Sequence, residues 1–203
     1  MGKYLWLIDA GHGGLKDGVY TTAPAKMHTF EDGFLIMEGV INRGVAQKLY
    51  RKLSEGCVDW ALVYDDRLDT SLQTRVNIIN KVYEKNRNAI SLSLHSNAGG
   101  GKGFEIFTSP GKTKADPVAE IFCLKCMEHF DDYKFRTDLT DGDHDKEAKF
   151  FMLTKTHCPS ILTESLFFDN REEAEYLSSE EGQEAIAEWL YQSILEVEKQ
   201  QPI

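Results

Sequence analysis

With 203 residues, of which 41% are apolar, 28% charged and 11% aromatic, the chain can bury a core of about one domain, and disorder, collagen and coiled coil are excluded. Its 23 Lys and Arg against 33 Asp and Glu leave a formal net charge of −10 with no local basic stripe, which argues against nucleic acid as a partner. No apolar run approaches the roughly 18 residues of a membrane-spanning helix, and Met1-Gly2-Lys3 leads directly into a strand-like segment, so neither a membrane span nor a signal peptide is expected.

In chain order, Lys3 to Ala10 (KYLWLIDA) is short, apolar and rich in strand formers, which predicts a buried strand. A long irregular stretch, Gly11 to Gly33, follows, and then a helical pattern from Leu35 to Leu53 and a strand from Val58 to Tyr64. Thr70-Ser71-Leu72-Gln73 fits a capping box with Thr70 as N-cap, opening a helix from Ser71 to Lys85 whose core stripe is Leu72, Val76, Ile79 and Val82 or Tyr83. Ala89 to His95 (AISLSLH) and Gly103 to Thr108 read as strands, Val118 to Phe130 as a helix, and Asp131 to Lys149 as a second long irregular stretch. Phe150 to Thr154 and Ser160 to Ser165 again read as strands, and helices are expected from Glu172 to Leu177 and from Glu180 to Glu198. Such alternation predicts an α/β fold, a mainly parallel twisted sheet with helices on both faces. No linker, repeat or low-complexity tract divides the chain, so residues 1–203 read as a single domain.

Cys57, Cys123, Cys126 and Cys158 are too few for a disulfide framework and are expected reduced. Cys123, Cys126 and His129 share a helix, but no second cysteine pair completes a zinc ribbon, so the thiols are assigned to the core. Asp141, Asp143 and Asp145 open like a calcium loop, yet Lys146 and Met152 stand where glycine and glutamate are required. This run is read as a solvated loop on the substrate side. His28, His144 and His157 have no assigned role.

Ligands of open α/β sheets bind at the carboxyl ends of the strands, and four segments place ionisable residues there. Asp9-Ala10-Gly11-His12-Gly13-Gly14 puts a histidine after the first strand, either to present an imidazole to a metal or as an incidental residue of a glycine turn. Glu38 continues the inward stripe of Ile41, Asn42, Val45 and Leu49, and a buried carboxylate needs a cation or donors; a solvated helix-face glutamate is the alternative. Ser93-Leu94-His95-Ser96-Asn97-Ala98 ends a second buried strand on a histidine, whose alternative is a structural hydrogen-bonding role. The glycines that follow form no phosphate loop, because Lys102 precedes Gly103 and not Ser or Thr. Glu164 ends a further apolar strand before Leu166, Phe167 and Phe168, where it either moves protons or caps a following helix. Two histidines and one carboxylate make a three-ligand catalytic zinc set with a position left for water, and a second carboxylate can take that water's proton.

GHGG after the first strand, Glu38 with Asn42, SLHSNA, and TESLFFDN resemble, in this order and at these separations, the zinc-dependent N-acetylmuramoyl-L-alanine amidases, a family that includes bacterial cell-separation amidases and phage lysins. The resemblance covers nearly the whole chain, including the arginine-containing stretch from Asp66-Arg67 through Arg75 and Asn80. It implies that His12, Glu38 and His95 bind one zinc ion, that Glu164 is the catalytic glutamate, and that the partner is peptidoglycan, cut between the lactyl group of muramic acid and L-alanine. Tyr20 to Phe30 (YTTAPAKMHTF) matches no family motif. Competing expectations are a zinc peptidase cutting within the stem peptide and a non-catalytic peptidoglycan-binding module. The expected setting is synthesis in the cytoplasm and action on the cell wall, as a phage or prophage lysin or as an alternatively exported bacterial enzyme.

Overall fold

A computed structural model describes residues 2–203. The apolar runs read as buried strands form the centre of a six-stranded sheet of order β6-β1-β7-β10-β8-β9. These strands are β1 (Leu5–Ala10), β6 (Asp59–Leu62), β7 (Ala89–Asn97), β8 (Phe104–Thr108), β9 (Lys146–Glu147) and β10 (Ser160–Phe167). All neighbours pair in parallel except β8 with β10. Two small hairpins lie between β1 and the first helix: β2 (Leu15–Lys16) with β3 (Val19–Tyr20), and β4 (Met27–Thr29) with β5 (Leu35–Met37).

Alternating side chains on the strands feed two apolar layers, as a sheet covered on both faces requires. Trp6, Ile8, Ile90, Leu92, Leu94 and Ile161 meet helices α1 (Glu38–Glu55), α3 (Asp116–His129), α5 (Arg171–Ser178) and α6 (Glu180–Gln200). Leu7 and Ala89 meet α2 (Leu72–Lys85) and the short α4 (Phe151–Lys155) on the other face. The helices earn their places by 3–4 residue spacing: Ile41, Val45, Leu49 and Leu53 line α1, and Ile186, Leu190, Ile194 and Val197 line α6. The buried Trp189 of α6 packs on Phe122 and Phe104 and donates its indole N–H to the Phe122 carbonyl at 3.1 Å. The α/β class, the mainly parallel sheet and the helices on both faces are as the sequence predicts.

Several local expectations are corrected. Phe150 to Thr154 is not a strand: Phe150 is extended and the next five residues form α4, burying Met152 and Leu153 while Thr154 and Thr156 hydroxyls return to the Phe150 and Met152 carbonyls. The helix expected from Leu35 starts at Glu38, because Leu35 to Met37 pair with Met27 to Thr29. Ser71, not Thr70, caps α2, accepting from the Thr74 amide, while Gln73 turns to Asn77 and the Thr70 hydroxyl accepts the Asp65 amide. Leu72 is exposed, and Arg75 takes a place in the buried stripe with Val76 and Ile79. His95 and Glu164 do not end their strands, since pairing continues to Asn97 and Phe167. The acidic run is not fully solvated. Asp145 is buried and accepts a 2.8 Å bond from Thr108, three residues along β8 from Glu105, the register partner of Glu164. All four cysteines are free, with Cys123, Cys126 and Cys158 buried.

Candidate metal centre

Three chain segments converge at the carboxyl ends of β1 and β7. β1 ends at Ala10, and the Gly11 amide donates to the Leu94 carbonyl at 2.9 Å, so the chain leaves the sheet against β7. A side chain at Gly11 has no room, because its Cβ would stand 2.2 Å from the His95 ring. His12 follows with φ of 63°, a left-handed conformation that costs a non-glycine residue about 1–2 kcal/mol. That turn brings its imidazole onto the first residue of α1, Glu38, and His95 reaches the same carboxylate from β7. Glu38 Oε1 lies 3.1 Å from His12 Nε2 and 3.0 Å from His95 Nδ1, and the two rings stand edge to face at 5.0 Å.

Glu38 is 1% exposed, and burial alone would raise its pKa, but the close imidazoles of His12 and His95 reverse the sign and hold the carboxyl well below the usual range. His95 shows the converse: burial would lower its pKa, and Glu38 raises it above the ordinary imidazole value. His12 Nε2 and Glu38 Oε2 are buried without a hydrogen-bond partner, the nearest cation to Oε2 being Lys26 Nζ at 3.6 Å. One donor atom from each of His12, Glu38 and His95 falls within 4.8 Å of the others, the sole such cluster among the described residues. Ligands about 2 Å from a tetrahedral zinc stand about 3.3 Å apart, so a nitrogen, nitrogen, oxygen set at these separations fits that ion.

Glu164 faces this group from β10, in register with His95. Burial pushes its carboxyl up to about 7, with the His95 charge opposing the rise, and its Oε2 is buried without a partner. A bulge follows, where Leu166 has φ of 61° and Glu173 accepts the Phe167 and Gly103 amides at 2.7 and 2.8 Å. A carboxylate near neutrality beside a candidate metal set is suited to exchange protons with water.

All four residues singled out at strand and helix ends are thus at one place. A cavity of about 420 Å³ opens beside the two histidines, lined by Asp9, Gly11, Asp69 to Leu72 and Arg75. Of that lining, Thr70 to Leu72 figured in the sequence only as the start of α2, and Asp69 and Arg75 only within the arginine-containing stretch. Of the two irregular stretches, 15–34 wraps the start of α1, where the Glu38 amide donates to the Lys26 carbonyl and the Tyr20 hydroxyl accepts the Gly39 amide. Asp131 to Lys149 runs along β8 instead and contributes nothing to the cavity lining.

The sequence profile of the family described as N-acetylmuramoyl-L-alanine amidase (Amidase_3) matches residues 7–196. The chain belongs to this family. It is 36% identical over 100 residues to the N-acetylmuramoyl-L-alanine amidase CwlM of Bacillus licheniformis, an alignment covering 47% of this chain and 35% of that protein. It is 25% identical over 205 residues to the endolysin of Bacillus phage SPP1, covering 97% of this chain and 66% of the phage protein. The alignments thus span between about a third and two thirds of these relatives' lengths. Among solved structures, the N-acetylmuramoyl-L-alanine amidase AmiC2 of Nostoc punctiforme superposes with a TM-score of 0.72 at 25% identity, covering 96% of this chain and 97% of that one. Ami1 of Mycobacterium smegmatis, at 18% identity and a TM-score of 0.79 over 98% of both chains, shares the fold. No helix among the described residues of this amidase-family chain is long and apolar enough to cross a membrane.

Proposed function

We propose that residues 1–203 act as one catalytic domain, a zinc-dependent N-acetylmuramoyl-L-alanine amidase that hydrolyses the amide between the lactyl group of muramic acid and L-alanine in peptidoglycan. The observation that carries this reading is the convergence of His12, Glu38 and His95, with Glu164 opposite, inside the segment that matches the family.

His12, Glu38 and His95 would hold one zinc ion. Bound there, it supplies a Lewis acid that polarises the amide carbonyl and acidifies the attacking water. Glu38 neutralises charge, while its position at the start of α1 and the contact with Lys26 fix the orientation of the carboxylate. Glu164, with its pKa near 7, takes a proton from the attacking water and passes one to the nitrogen of the leaving L-alanine. The carboxylate must be ionised to begin this cycle and protonated to complete it, which a pKa near the working pH permits. The cavity beside His12 and His95 gives the substrate a place to lie against the metal set. With a net charge of −10 the chain has no general attraction to anionic walls, so recognition rests on local contacts in this cleft and in the 15–34 segment.

Incubating purified peptidoglycan with the protein, with and without a chelator, tests the reading. Release of stem peptides that stops on chelation and resumes on adding zinc is the expected result. Binding without release would favour a non-catalytic module, and release that ignores the chelator would remove the metal from the account. Action on the wall, by a phage-type lysin or an exported bacterial enzyme, follows from the same reading.

A further inference from the structure

His12 is held in its left-handed turn by two arginines from helices on opposite faces of the sheet. Arg43 of α1 and Arg75 of α2 both donate to the His12 carbonyl, at 2.9 and 2.7 Å. Arg43 also bonds the carbonyls of Gly39, Asp65 and Asp66 at 2.8 to 3.0 Å, tying the His12 turn to the first turn of α1 and to the loop after β6. Arg75 also bonds the carbonyls of Ala10 and Thr70, each at 2.7 Å, and pairs with the buried Asp9. Tyr64 lies under both guanidiniums, 4.9 Å from Arg43 and 6.0 Å from Arg75. Two buried cations side by side repel one another, and most of their bonds go to backbone carbonyls rather than to carboxylates. A fold seeking only stability would fill such space with apolar side chains. The one hydrogen-bond acceptor that both arginines share is the carbonyl of the residue whose imidazole meets Glu38.

We propose that Arg43 and Arg75 are positioning residues that clamp the His12 backbone in its left-handed conformation and so set the affinity of the His12, Glu38 and His95 group for its metal ion. This rests on the zinc reading given above. The guanidinium fork is required because each arginine bonds several carbonyls in fixed directions, and a lysine ammonium on a flexible stem does not reproduce that pattern. Groups that orient metal ligands without touching the ion are worth about 10–100-fold in metal affinity.

The test is zinc affinity, measured by competition with a chromophoric chelator, in the unmodified protein and in Arg43→Lys, Arg75→Lys and Ile79→Val. Ile79 is a buried residue of α2 that does not touch the turn, and its variant controls for lost stability. Both lysine variants are expected to bind zinc about 10–100-fold more weakly, and Ile79→Val within twofold of the unmodified protein. Lysine variants that fold and bind zinc as Ile79→Val does overturn the clamp. An unmodified protein that binds no zinc removes the functional reading itself, and the clamp with it. If neither lysine variant folds, the unmodified protein decides by NMR: exchange of the Arg43 and Arg75 Nη protons with water should slow when zinc is added. Unchanged exchange overturns the proposal.

Discussion

The sharpest steric test of the centre is Gly11→Ala. A Cβ built on Gly11 would stand 2.2 Å from His95 Cε1 and 2.5 Å from both ring nitrogens, whereas ordinary contact begins at 3.4 Å. The ring must therefore retreat by about 1.2 Å, or the turn must move away from β7 and lose the Gly11 to Leu94 hydrogen bond. Overpacking of this kind costs about 1–3 kcal/mol, which a folded domain of this size survives. Metal–ligand distances tolerate only about 0.2 Å, so the same displacement is far too large for a ligand. The variant should fold, melt a few degrees lower, and bind zinc at least about 10-fold more weakly, with activity falling in step. Gly44→Ala serves as control, since the atoms nearest a Cβ there belong to the flexible amide end of Gln183. Zinc titration and thermal melts on both variants report the outcome. A Gly11→Ala protein with unchanged zinc affinity would refute the placement of the metal at the His95 ring.

Glu164→Gln should retain zinc while turnover falls by about 10²-fold or more, because the amide keeps the shape but accepts no proton. In the unmodified protein the rate should climb as pH rises through about 7, where Glu164 becomes a carboxylate, and the residual activity of Glu164→Gln should lack that limb. Asp145 makes a stability prediction far from the cleft. Burial raises its carboxyl from 3.8 to about 7, opposed by the Thr108 bond and assisted by the Asp143 charge. A folded-state pKa above the unfolded one means that the folded state holds the proton more tightly, so its contribution is fully present below about pH 4 and is lost as pH rises toward about 7. Asp145→Asn should therefore raise the melting temperature more at pH 8 than at pH 5, and equal effects at both would contradict the burial argument.

The strands that carry the centre were legible because both faces of the sheet are covered. Runs such as Ala89 to Leu94 and Ser160 to Thr163 are buried without interruption, and no surface pattern competes with them. Phe150 to Thr154 looked the same and is a helix, since five apolar and β-branched residues carry no period that separates the two. The hairpins between β1 and α1 have strands of two or three residues, too short for any pattern to register. His12, Glu38, His95 and Glu164 stood out because each is an ionisable residue beside or within an apolar pattern, close to the end of a strand or the start of a helix. Arg75 entered only through the arginine-containing stretch of the family resemblance and Arg43 not at all, because an arginine on a helix normally lies with its head in water. Their place on the same stripes as Ala46 and as Val76 with Ile79 was the available signal. The cavity lining at Asp69 to Leu72 depends on how α2 packs against the turn after β1, which local sequence does not encode.

Identifying the bond cut tests the central claim most directly. Purified peptidoglycan should be digested with the zinc-loaded protein and the products examined by end-group analysis and mass spectrometry. The account predicts intact stem peptides bearing new L-alanine amino termini and uncut glycan strands. New reducing sugar ends, or new termini inside the stem peptide, would contradict it.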